Sequence, residues 1–276
     1  MRAFCPGLAA SLLLVLAGCA TAGVTGLHVE SRGAGAAPPV VFVHGLGGDT
    51  DTWAEAMTHL APSRRVVAFD ARNHGQSARG PATLAQWSDD LFAVVQDLHL
   101  KKVVVVGHSM AGCVLQRFAA EHRELVAGLV FVDAIGDFSR AGTKDEVDAF
   151  ALAQRRPTTL DERRAQFTEL LASKARPETN ARVLRSLGHL DGAAWSTLRE
   201  DLARFTPPPF DASIPTLAIE AAGNDAPVRY SALRPDVPRV DVPSSSHWLM
   251  LDQPEAFARA LDDFLAAGRS RPRDAR

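Results

Sequence analysis

Four short runs of apolar, largely β-branched residues punctuate the first half of the chain, at residues 40–43, 65–69, 103–106 and 129–132. Each has strand length, and most show no polar face, which predicts strands buried on both sides. Residues 27–31 form an earlier strand candidate, and 216–219 and 239–242 form two weaker, later ones. Helical patterns fill the gaps at 84–98, 111–122 and 254–265, the last opening suitably on Pro254. Strands alternating with helices predict an α/β domain whose mostly parallel central sheet is covered by helices on both faces. The chain carries no internal repeat.

One region breaks the alternation. From residue 137 to residue 209 the chain is rich in Arg, Glu, Ala and Leu, has no β-run, and ends in Pro207-Pro208-Pro209. It predicts several amphipathic helices inserted between core strands, a helical lid. Phe138, Phe150, Phe167, Trp195 and Phe205 within it suit either the lining of an apolar pocket or the lid's own packing.

Composition narrows the function classes. With 276 residues, 46% hydrophobic and 22% charged, and a formal charge of −2, the chain has the make-up of an ordinary folded domain of enzyme size. No basic excess points to nucleic acid. Three cysteines, Cys5, Cys19 and Cys113, are too few and too scattered for a disulfide framework or a metal site, so no metal is expected. Cys113 reads as a small buried residue on a helix.

Residues 1–18 do not read as part of the fold. A positive start, a short apolar run and small residues make a secretory signal. Its end, Leu16-Ala17-Gly18-Cys19, resembles the lipobox of bacterial lipoproteins. That resemblance implies a diacylated Cys19 as the first mature residue and a lipid anchor in the bacterial cell envelope. The organisation expected is a signal at 1–18, a tether at 19–26, an α/β core at 27–136 and 210–268 around the lid at 137–209, and a basic tail at 269–276. Fully extended, the tether reaches no more than about 30 Å, which keeps the domain near the lipid surface.

The strongest local chemical signal is Val103-Val104-Val105-Val106-Gly107-His108-Ser109-Met110-Ala111-Gly112. It places a serine on a sharp turn between a strand and a helix, flanked by small residues that let the strained backbone pack closely. The usual G-x-S-x-G has Ala111 at its last position here. A serine hydroxyl needs a positioned base to act as a nucleophile. Val43-His44-Gly45-Leu46-Gly47-Gly48 follows an earlier buried strand, and its glycines let backbone N–H groups approach a substrate oxygen. No lysine with phosphate-loop spacing follows those glycines.

With HGLGG at 44–48, DARNHGQS at 70–77, GHSMAG at 107–112, GND at 223–225 and SSSHWLMLDQPEAF at 244–257, the chain resembles the α/β-hydrolase superfamily, in particular its small bacterial esterase-like members. The likeness covers about residues 27–267 apart from the lid. It implies an α/β-hydrolase fold trimmed at its first edge and a serine hydrolase that cleaves carboxylic esters without a cofactor. Ser109 is the implied nucleophile, and His247, after the last strand, the base. Leu46 and Met110 supply the implied oxyanion donors through their backbone N–H groups. The implied acid is Asp225, which gives the chain order Ser109, Asp225, His247; Asp133 at the end of an earlier strand is the rival, a position some relatives use. His44 and Asp70 read as loop-ordering residues. Serine at 109 excludes the alkyl-ester chemistry for which dehalogenases and epoxide hydrolases of this fold carry aspartate. The same triad also serves amide, thioester, lactone and carbon–carbon bond hydrolysis and perhydrolysis. A non-catalytic binding lipoprotein is the reading from another class.

Overall fold

The structure is a computed structural model that describes residues 26–171 and 174–267. The secretory signal expected at 1–18, Cys19, most of the expected tether at 19–26 and the tail at 269–276 lie outside the described residues.

Seven strands make one sheet: β1 (Val29–Arg32), β2 (Val40–Val43), β3 (Val66–Phe69), β4 (Val103–His108), β5 (Val126–Val132), β6 (Thr216–Ala221) and β7 (Arg239–Val242). Their spatial order is β1-β3-β2-β4-β5-β6-β7; β1 runs antiparallel to β3 and every other neighbour is parallel. β2, β3 and β4 are buried along their whole length, as continuous apolar runs require. β7 lies at the edge and exposes Arg239, Val240 and Asp241, which explains its weak signal.

The helices are α1 (Ala54–Leu60), α2 (Leu84–Asp97), α3 (Ala111–Glu121), α4 (Lys144–Ala153), α5 (Leu160–Leu171), α6 (Pro177–Ser186), α7 (Gly192–Arg204), the short α8 (Tyr230–Leu233) and α9 (Leu249–Asp252), and α10 (Pro254–Ala267). They flank the sheet, with α2 packed on α3 and α1 on α10. The helices α4 to α7 all fall between β5 and β6, so the region without β-runs is a four-helix cap on the core. Local sequence starts these helices: Thr143 and Glu146 form a reciprocal cap on α4, and Asp191 accepts from two N–H groups at the start of α7. The cap is tied down by polar links. Asp201 on α7 accepts the Leu84 N–H at the start of α2 (2.7 Å), and Arg182 on α6 pairs with Glu55 on α1 (2.8 Å).

Parallel strands place their following loops at one end of the sheet, where open α/β sheets bind ligands. The loops after β2, β4, β5 and β7 carry the candidate site.

Candidate active site

Ser109 follows β4 directly, in the left-handed backbone region at φ +55°. A non-glycine residue there costs about 1–3 kcal/mol, so the surrounding contacts must fix the turn. They do: Ser109 N–H donates to Val132 O, and Ser109 O accepts from the N–H groups of Gly112 and Ile135, all at 3.0 Å. A Cβ on Gly112 would lie 2.3 Å from Ile135 O, and one on Gly107 would lie 2.5 Å from Leu115 Cδ1. Ala111 is tolerated where the motif has glycine because it packs towards Gly107, whose added Cβ would still be 3.3 Å from that of Ala111.

His247 donates through Nδ1–H to Oδ2 of Asp133 at 2.6 Å. Asp133 is fully buried just beyond the end of β5, itself at φ +43°. Its Oδ1 accepts from Ala221 N–H (3.0 Å), and its Oδ2 also pairs with Arg229 (2.8 Å) and accepts from Asn224 (3.4 Å). Burial pushes the Asp133 carboxyl up, but the His247 hydrogen bond and the charges of His247 and Arg229 outweigh it and hold the group below the usual aspartate range.

The acid named from chain order is therefore corrected. Asp225 does not reach His247; its side chain is 76% exposed and pairs with Arg239 at 3.0 Å. Gly223 at φ +79° turns the chain after β6, and Asn224 faces Asp133 while Asp225 is carried to the surface. Asp133 gains its place from the sheet: β5 lies between β4 and β6, so its C-terminal end emerges beside the serine turn.

His108 supports the same loop. Its Nε2–H donates to the His247 carbonyl (2.9 Å), and the two rings lie 4.5 Å apart. Burial, followed by the charge of His247, holds His108 well below the ordinary histidine range, so it acts as a neutral donor. Asp252 accepts from Ser246 N–H and Oγ–H (2.8 and 2.6 Å) and from Arg176 N–H in the cap (3.0 Å), joining the histidine loop to the cap.

The glycine turn after β2 brings Leu46 to the same place, and the backbone N–H groups of Leu46 and Met110 find no acceptor among the described residues. A Cβ on Gly45 would lie 2.9 Å from the Ser109 Cβ, so the two turns touch. His44 and Asp70 order the loops as read from sequence. His44 donates from Nδ1 to Gly45 O (2.7 Å) and accepts Ala71 N–H at Nε2 (2.9 Å), while Asp70 accepts from Thr50 and Gln76 N–H groups. His74, not singled out from sequence, accepts Gly47 N–H at 3.0 Å and so holds the glycine turn.

Ser109, Met110, Leu46, His108 and His247 share one cavity of about 250 Å³. Its other walls are Ile135, Phe138, Phe150, Phe167, Leu170, Trp195, Leu202 and Trp248, with Gln166 and Arg199 the polar cap residues. Four of the five aromatic residues noted in the cap thus line the cavity; Phe205 packs on the core instead. Among the described residues no group of three or more His, Cys, Asp or Glu is placed to share a metal ion. Cys113 is buried on α3, and burial pushes its thiol far above the usual range, which makes it an inert packing residue.

The alpha/beta hydrolase family profile matches residues 40–260, a span that holds both sequence turns, the cap and His247. The chain belongs to the alpha/beta hydrolase family. Among curated relatives, it is 31% identical over 255 residues to the sn-1-specific diacylglycerol lipase ABHD11 of Mus musculus, covering 83% of this chain and 81% of that one. Among solved structures, the fold is similar to a thermophilic esterase from Thermogutta terrifontis, with a TM-score of 0.74 and 24% identity over 88% of this chain and 94% of that one. It is also similar to the enol-lactonase from Burkholderia xenovorans, with a TM-score of 0.76 and 22% identity over 89% and 99% of the two chains. This member of the alpha/beta hydrolase family thus has lipase and esterase relatives, a seven-stranded sheet and a helical cap.

Proposed function

We propose that this chain is a serine hydrolase that cleaves carboxylic esters through an acyl-enzyme on Ser109. The observation that carries the reading is His247, which donates to buried Asp133 and shares the apolar cavity with Ser109. With Nδ1–H engaged by Asp133, the imidazole keeps its lone pair on Nε2 for the serine proton. Ser109 Oγ then attacks the ester carbonyl carbon as His247 takes the proton. The oxygen that gains charge is held by the N–H groups of Leu46 and Met110, at the positive end of α3. Collapse breaks the bond to the alcohol, which leaves with the proton from His247. A water activated by the same base attacks the acyl-enzyme and frees the acid. Asp133 stays ionised throughout and stabilises the imidazolium.

Esters, rather than the other bonds open to this triad, are favoured by the apolar cavity and by the lipase activity named for the mouse relative. The same proposal includes a lipid anchor at Cys19 and a place in the bacterial cell envelope, supported by the lipobox-like residues 16–19. Exchange of Cys19 for alanine is expected to move the protein out of the membrane fraction, and retention there would contradict the anchor.

The activity is tested with p-nitrophenyl esters of increasing acyl length, comparing the full chain in detergent with Ser109→Ala. The expected outcome is turnover with a length optimum, and a fall of at least about 10³-fold in the variant. Absence of turnover by folded protein, or equal turnover by the variant, would contradict it.

A further inference from the structure

Arg199 is out of character with its surroundings. It projects from α7 into the cavity that holds Ser109, and no Asp or Glu lines that cavity. Several other cap arginines find carboxylates: Arg155 and Arg204 share Glu200, and Arg156 takes Glu162. Arg199 makes no ion pair with any described residue. Its Nη1–H donates to the neutral amide oxygen of Gln166 on α5, and its guanidinium lies 5.1 Å from the ring of Phe150 and 5.0 Å from that of Trp195. Burial alone shifts its affinity for a proton, downwards, with no anion to offset it.

A guanidinium stays charged under these conditions. Stacking on two rings returns part of the stabilisation that its lost hydration supplied. Arg199 is half-buried, and the field that remains faces a mostly apolar pocket, where an arriving anion is bound more strongly than at the open surface. Nε–H and the Nη2 hydrogens remain for it, in the planar fork that matches a carboxylate. Gln166, which accepts from Arg199 through Oε1, keeps its amide hydrogens for the same anion.

We infer that Arg199 receives a carboxylate carried by the substrate, so that this hydrolase takes anionic esters, such as half-esters of dicarboxylic acids or esters of carboxylated alcohols. The inference rests on the ester-hydrolase reading above and adds the substrate's charge. A neutral glyceride would take water from the guanidinium and offer no counter-charge, a cost without return. The competing role for Arg199 is a clip that holds α4, α5 and α7 together through Phe150, Gln166 and Trp195. A clip stabilises the cap and is indifferent to the charge of the ester.

Two matched pairs of esters separate these roles and locate the charge. p-Nitrophenyl hydrogen glutarate against p-nitrophenyl pentanoate places it on the acyl side; 4-acetoxybenzoate against 4-acetoxybenzamide places it on the alcohol side. The unmodified protein is expected to prefer the anionic member of at least one pair by about tenfold or more in kcat/KM. Arg199→Met should abolish that preference, the anionic member losing about tenfold more than the neutral one, and Arg199→Lys should keep part of it. Neutral esters turned over with no preference in either pair, or an equal loss on both members in the variants, would overturn the inference and leave the esterase reading standing. If no ester is turned over, the esterase reading fails by itself. Calorimetry with glutarate and 4-hydroxybenzoate then decides on Arg199: binding by the unmodified protein that is lost in Arg199→Met supports the receptor, and absence of binding refutes it.

Discussion

Oδ2 of Asp133 lies 2.6 Å from Nδ1 of His247, across the C-terminal ends of strands that are not consecutive with the histidine loop. The contact orients the imidazole towards the cavity that Ser109 enters. Asp133→Asn would keep the shape but offer the ring an amide, which disturbs its tautomer. A fall of about 10⁴-fold in kcat is expected, against a change within about threefold for Asp225→Asn. Steady-state kinetics on one chromogenic ester checks both, and the reverse ranking would return the acid's role to Asp225.

Asp133 also pairs with Arg229, which is nearly buried and donates to the Asp133 main-chain oxygen as well. Removing one partner of a buried pair strands the other charge. Arg229→Met should lower stability by about 3–5 kcal/mol, read from urea unfolding. A loss below about 1 kcal/mol would mean that water replaces the guanidinium easily.

Stability should depend on pH through buried histidines. Burial lowers the affinity of His44, His74 and His108 for a proton, and neighbouring groups modify each: Asp70 partly offsets it at His44, while His44 adds to it at His74 and His247 at His108. The unfolded chain therefore binds more protons than the native one just below the ordinary histidine value of 6.5. The stability they contribute is complete above that value and is lost as pH falls below it, by about 1.4 kcal/mol per pH unit for each histidine. Asp49 has the opposite sign: burial, then the charge of Asp70, raises it from 3.8 to about 6, so its contribution falls as pH rises across that interval. Above it only the histidine slope remains. Melting followed by circular dichroism from about pH 8 to about pH 6 should show a falling Tm, with a shallower slope in His108→Gln. A flat profile would contradict the assignment.

Gly112 admits no side chain, because the atom its Cβ would strike is the backbone oxygen of Ile135. Gly112→Ala should destabilise by about 1–3 kcal/mol and displace the serine turn, with kcat falling more than KM changes. Ala111→Gly, which restores the usual motif, should leave kcat within about threefold. Activity preserved in Gly112→Ala would show that the turn has slack.

Much of this was readable in the chain because its physical cause is local. Residues 103–106 are four β-branched valines in a row, which suits a strand buried on both faces, and the small residues around Ser109 mark a turn that must pack closely. The cap was legible as 73 residues, 137–209, without a β-run, but not its four-helix arrangement, since α5 and its neighbours are mostly polar on the surface. α1 and the short α8 and α9 carry too few residues for a clear period. The acid was misread because chain order constrains only succession. Whether Asp133 or Asp225 faces His247 depends on the lateral order of strands and on the turn at Gly223, and neither leaves a local trace. Arg199 was hidden for the same reason: what distinguishes it is its place in the wall of the Ser109 cavity, where no carboxylate stands beside it.

The central claim, that Ser109 is an activated nucleophile, is tested most directly by intact-mass spectrometry after exposure to a fluorophosphonate, with peptide mapping of the adduct. One adduct per chain on Ser109, absent from Ser109→Ala and strongly slowed in Asp133→Asn, is the predicted result. A folded protein that stays unlabelled, or an adduct that persists in Ser109→Ala, would contradict it.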